Sequence, residues 1–130
     1  MDDLLNRLIA DYPELTFRHG RRFSFRPPRT ITVGPREPHD DLLLLHEVGH
    51  ALSSHRDYHS GVMRLKMERE AWDKARELCI KYNIVFDEEV AEVQLDTYRA
   101  WLDRISRCPK CGLTRFQEPN GEFKCPMCDR

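Results

Sequence analysis

Two cysteine pairs near the end of the chain constrain its folding more than any other feature. They are Cys108-Pro109-Lys110-Cys111 and Cys125-Pro126-Met127-Cys128, separated by thirteen residues. A Cys-x-x-Cys step turns two thiols toward one point, and two such steps supply the four thiolates of a closed, tetrahedral zinc site. Between them, residues 116–123 read as a hairpin with Asn120-Gly121 as its two-residue turn. So short a segment buries too little apolar surface to fold without its metal. Residues 107–130 are therefore expected to be a zinc ribbon with one structural Zn2+; a redox Cys-x-x-Cys is the competing reading, and the doubling of the motif argues against it.

The reading of these cysteines depends on the compartment. The start, Met1-Asp2-Asp3-Leu4-Leu5, lacks the basic opening of a secretory signal, and the run Leu42–Leu45 is far short of the roughly 20 apolar residues of a membrane span. The expectation is a cytoplasmic protein with no membrane partner, in which paired cysteines mean metal and not disulfide. A net charge of -1 gives no global field toward nucleic acid. The fifth cysteine, Cys79, falls on an apolar helix stripe and reads as core.

Residues 1–106 read as one α+β domain, mainly helical with a small antiparallel β-hairpin. Leu4, Leu5, Leu8 and Ile9 have helical spacing up to Pro13. Phe23-Ser24-Phe25 and Ile31-Thr32-Val33 alternate with period two, with Pro27-Pro28 in the connection. Three helices follow, at about 40–53, 62–82 and 87–105, with His39 or Asp40 capping the first and Asp87 the last. The last helix should bury Val90, Val93, Thr97, Trp101 and Ile105, with Gln94 as a satisfied buried amide on that face.

The first of these three helices carries His46-Glu47-Val48-Gly49-His50. Histidines four apart project from one helix face and can hold one metal; the glutamate between them lies about 100° round the helix, able to act on a metal-activated water without being a ligand. Zinc there would lower the pKa of a water toward about 7, and Glu47 would move its proton. Gly49 would admit another backbone. The third ligand must come from His55, His59, Glu68 or Glu70. Leu65, Glu68, Ala71, Trp72, Ala75, Cys79 and Tyr82 share one stripe of the following helix, whereas Glu70 falls opposite with Lys66, Asp73 and Glu77. A carboxylate on a buried face is normally paired or metal-bound, which favours Glu68 over Glu70. The competing reading pairs Glu68 with Arg64 or Arg76. His55 and His59 read as surface or helix-end residues.

His46-Glu47-Val48-Gly49-His50-Ala51-Leu52 followed by Glu68-Arg69-Glu70-Ala71 resembles the ImmA/IrrE-type metallopeptidases, over about residues 31–78. The resemblance implies a zincin-like fold, a catalytic Zn2+ on His46, His50 and Glu68, Glu47 as general base, and a repressor of a phage or other mobile element, or of a stress response, as substrate. The sequence departs from the family pattern at Trp72, where Asn or Asp is usual, and at Lys74-Ala75, where Phe-Ala is usual; it also lacks the family's helix-turn-helix domain. A SprT-like peptidase would need a further histidine downstream of His59, and none is present.

Two further expectations concern partners. Thr30, Ile31, Thr32 and Val33, just ahead of the motif helix, are candidates for an edge strand that binds an extended peptide substrate. Six arginines and no acidic residue between Arg18 and Arg36 suggest an acidic or nucleic-acid partner, met together with the ribbon. The function expected is a zinc metallopeptidase of narrow specificity acting on a protein partner. The alternative is a non-catalytic ribbon module for nucleic acid or protein on a zincin-like scaffold.

Overall fold

The computed structural model describes residues 3–35, 40–55 and 60–128. Arg36, His39 and His59 lie outside the described residues. The elements run α1 (Asp3–Asp11), β1 (Thr16–His19), β2 (Ser24–Arg26), β3 (Thr30–Val33), α2 (Asp40–Leu52), α3 (Gly61–Lys81), α4 (Glu88–Ser106), β4 (Phe116–Gln117) and β5 (Phe123–Lys124). The chain is thus α+β and mostly helical. Among the described residues no helix is long and apolar enough to cross a membrane. Two compact units emerge, Met1–Arg56 with Glu70–Asp87 and Asp57–Arg69 with Glu88–Arg130. Helix α3 runs unbroken and contributes to both.

The first unit holds a three-stranded sheet in the order β1-β3-β2. The expected antiparallel pair is present, with Phe25 opposite Ile31, and Pro27-Pro28, joined by a cis peptide bond, lies in its turn. The addition is β1, which pairs parallel to β3 from Thr16↔Thr30 to His19↔Val33. This pairing makes β3 the central strand. The expectation of Thr30–Val33 as a free edge is therefore corrected: neighbours on both sides already occupy its main chain, and Ile31 and Val33 are fully buried.

Helix α2 packs against β2 and β3. It buries Leu42, Leu44, Leu45, Val48 and Gly49 on one broad face and His46, Glu47 and His50 round the rest of the axis, as in a helix enclosed on several sides. Helix α3 buries Glu68, Ala71, Trp72, Ala75 and Cys79 of the expected stripe, and Tyr82 is buried just past its end; Leu65 is only half-buried, and Leu78 is an addition. Trp72, 1% exposed, is the largest fully buried side chain, and burying such a residue is worth roughly 3 kcal/mol. Gly49 faces α3: a Cβ there would run into the carbonyl oxygen of Ala71. Leu4, Leu5 and Leu8 of α1 join this core, while Ile9 is exposed.

Both helices end in the same way. Asn83 after α3 has φ 57°, with Ile84 N–H donating to Cys79 O (2.8 Å) and Asn83 N–H to Ile80 O (3.3 Å). Ser54 after α2 has φ 57°, with His55 N–H donating to His50 O and Ser54 N–H to Ala51 O, both 3.1 Å. These are Schellman caps, which fold the second residue beyond the helix back over its last turn.

In the second unit α4 buries Ala91 and Leu95. Val93, Thr97 and Gln94 are exposed, so the buried face lies about one residue round from the expected one, and Gln94 is not a buried amide. The Arg64 guanidinium lies 4.9 Å from the Tyr98 ring centre and 4.7 Å from that of Trp101. The terminal hairpin pairs Phe116 with Lys124 and Gln117 with Phe123. Its loop has three residues instead of two. Glu118 N–H donates to Glu122 O, Gly121 N–H donates to Glu118 O, and Gly121 alone takes a positive φ, 92°. A two-residue type I′ turn would need positive φ at Asn120 as well.

Candidate metal centres

The ribbon cysteines converge. Sγ of Cys108 lies 3.8 Å from that of Cys128, and Sγ of Cys111 lies 3.5 Å from that of Cys125. A disulfide would bring two sulfurs to about 2.0 Å. Four sulfurs each about 2.3 Å from a central zinc would stand about 3.8 Å apart; the four here all lie within 4.8 Å of one another, so the set could close round one metal ion. The knuckles tune the four thiols unequally: Cys108 and Cys125 are lowered, whereas hydrogen bonds with the other thiols push Cys128 up and, against a backbone hydrogen bond at Leu113, raise Cys111. Backbone N–H groups of Cys111 and Lys110 bring the Cys108 pKa down to about 6. Those of Cys128, 3.3 Å from Cys125 Sγ, and of Met127 lower Cys125. Cys79 stands apart, buried on α3, and burial pushes its thiol up to about 11.

The second group forms around α2. His46, Glu47 and His50 are all buried there, at 9%, 8% and 6% exposure. Each histidine ring is held by an aromatic neighbour. His46 stacks on Trp72 of α3 at 4.2 Å between ring centres, and His50 stacks on Phe25 of β2 at 5.7 Å and 7°. Trp72 comes one turn after Glu68 on the same face of α3, so the helix that seats Trp72 on His46 also presents Glu68. One ligand atom from each of His46, His50 and Glu68 lies within 4.8 Å of the other two, and Glu68 is 8% exposed. Two imidazoles and one carboxylate are a three-donor set that could hold a metal ion and leave a position open, unlike the four closed thiolates of the ribbon.

Two residues depart from their sequence reading. His55, expected at the surface, is 7% exposed; its Nδ1 lies 2.8 Å from Nδ1 of His50, and its Nε2 lies 3.1 Å from Oε1 of Glu70. Glu70, expected on the solvent face of α3, is half-exposed and reaches inward to His55. The Schellman cap at Ser54 explains both, because it turns His55 back onto the last turn of α2. Such caps are usually signalled by glycine, and Ser53-Ser54 gave no sign of one.

No family model matches the chain, no curated protein matches it, and no solved structure matches it.

Proposed function

We propose that this chain is a zinc-dependent metallopeptidase of zincin-like type, cutting a peptide bond in a protein partner, with a four-cysteine zinc ribbon at residues 107–130. The observation that carries the reading is the convergence of His46, His50 and Glu68 with Glu47 buried on the same helix. The resemblance to the ImmA/IrrE-type family adds a transcriptional repressor as the substrate class.

The residues fit a zinc ion by donor chemistry: His46, His50 and Glu68 would hold it, as Cys108, Cys111, Cys125 and Cys128 would hold a structural one. Zinc, when bound, supplies a Lewis acid that polarises a carbonyl and brings the pKa of a water toward about 7. The Glu47 carboxylate takes a proton from the water whose oxygen adds to the carbonyl carbon, then delivers it to the amine nitrogen as the C–N bond breaks. Burial of Glu47 shields this proton from bulk solvent. With β3 central, the edge available to an extended peptide beside α2 is the outer edge of β2, Ser24–Arg26, whose Phe25 already stacks on His50. Arg26 on β2 and Arg21, Arg22 and Arg29 in the segments flanking it are exposed, as is Arg18 on β1, and they favour an acidic stretch in that partner.

The same arginines support a second reading, a non-catalytic module that binds nucleic acid through the arginines and ribbon. Glu47→Gln separates the two. On the peptidase reading this variant keeps both zincs and captures the partner uncut, and adding wild-type protein then cleaves the captured chain, as seen by mass spectrometry. A wild type that leaves the captured partner intact, or a single zinc indifferent to His46→Ala, would refute hydrolysis.

A further inference from the structure

The hydrogen-bonded line from Glu70 through His55 to His50 has a direction. A neutral imidazole carries one N–H and one lone pair. The Glu70 carboxylate accepts, so the hydrogen of His55 sits on Nε2, 3.1 Å away. His55 Nδ1 is then the lone-pair nitrogen. It lies 2.8 Å from Nδ1 of His50, and two ring nitrogens approach this closely only when one carries the hydrogen. That hydrogen is therefore on His50 Nδ1, and the lone pair of His50 is on Nε2.

We infer that His55 and Glu70 are positioning residues for His50, fixing its tautomer and ring plane so that Nε2 is presented to the metal. The inference rests on the metal-site reading above and deepens it. A metal-bound histidine commonly donates its other N–H to a carboxylate or carbonyl, which orients the ring and raises its basicity. Here a second imidazole relays the contact, because Glu70 is anchored on α3 and reaches His50 only through His55. Three features hold the relay. The Schellman cap at Ser54, φ 57°, carries His55 back over His50. The two ring centres lie 5.1 Å apart at an interplanar angle of 63°, the separation of imidazoles joined nearly in line through nitrogens 2.8 Å apart. Phe25 covers the face of His50 at an interplanar angle of 7°, so the ring cannot turn away without losing that stack. The arrangement also assigns different duties to the two glutamates of Glu68-Arg69-Glu70: Glu68 belongs to the donor set and Glu70 to the relay.

The test uses the full chain, loaded with zinc, and has two readouts. With 15N-labelled histidine, NMR should place the His50 hydrogen on Nδ1 and the His55 hydrogen on Nε2. A hydrogen on Nδ1 of His55 overturns the relay without recourse to any variant. Zinc affinity by chelator competition should fall roughly 10–100-fold in His55→Phe and Glu70→Leu. Glu70→Gln should lose less, since its amide oxygen still accepts from His55 Nε2–H. The ribbon zinc should be unaffected in all three. A wild type that binds two zincs, with variants that bind both equally tightly, overturns the positioning role alone. A wild type that binds only the ribbon zinc overturns the metal-site reading, and the relay with it.

Discussion

Gly49 of α2 and Ala71 of α3 meet backbone to backbone: a Cβ on the glycine would collide with the alanine carbonyl oxygen. In an exposed helix, replacing glycine by alanine gains about 1 kcal/mol. Here the obstacle is a carbonyl held in a helix, which cannot step aside as a flexible side chain would, and such overpacking costs about 1–3 kcal/mol. Gly49→Ala should therefore lower the urea midpoint despite its better helix propensity. It should also weaken metal binding, because separating the helices moves His46 off Trp72. A raised midpoint would show that α2 and α3 can part freely.

On the proposed assignment, the two donor sets should differ in how firmly they hold zinc. Four thiolates close the ribbon site, whereas two imidazoles and a carboxylate leave the other open. Mild chelation should remove one zinc per chain first, and that zinc should be the one missing from His46→Ala. Glu68→Gln should lose the same zinc while the ribbon keeps its own. Elemental analysis after graded chelation checks both; equal loss from the two centres would contradict the assignment.

Tyr82 donates to Asp11 across 2.7 Å, joining α3 to α1. That bond, helped by Lys81, holds the Asp11 carboxyl below its ordinary value of 3.8. Burial and the same bond push the Tyr82 phenol up. A carboxyl with a depressed folded pKa contributes stability above its unfolded value, and loses it as pH falls through the folded one. Tyr82→Phe should accordingly be less stable than wild type at pH 7, and the gap should narrow as the pH drops below about 3.8. Urea midpoints compared at neutral and acidic pH test this; a gap that stayed constant into acid would mean that packing, and not the hydrogen bond, sets it.

Cys79 should be chemically quiet. It is 1% exposed, and burial pushes its thiol up to about 11, so little thiolate exists at pH 8. A thiol reagent applied to chelated but otherwise native protein should label the ribbon cysteines and spare Cys79 until denaturant is added. Early labelling of Cys79 would place α3 in rapid opening.

Much of the molecule is local, and local spacing is what a sequence displays. His46 and His50 share a face because 3.6 residues make a turn, and the burial of Glu68 follows from the same period through Ala71, Trp72, Ala75 and Cys79. The thiols meet because each Cys-x-x-Cys is a tight turn, although even there the loop at Glu118–Glu122 took three residues where the Asn120-Gly121 pair had suggested two. The boundaries of α2, α3 and α4 were readable to within a residue or two for the same reason.

What the sequence could not reveal lies in contacts between segments. Nothing local indicates that Thr16–His19 pairs parallel with Thr30–Val33 and makes that strand central, since pairing partners are chosen by the hydrophobic faces that the whole sheet must bury. Nor does any spacing place Glu70 against His55. That contact depends on a serine taking the left-handed conformation at the end of α2 and on the close crossing of α2 and α3 at Gly49. The meeting of His46, His50 and Glu68 was thus largely written into helical periodicity, whereas the contacts from His50 to His55 and from His55 to Glu70 exist only once two helices are packed together.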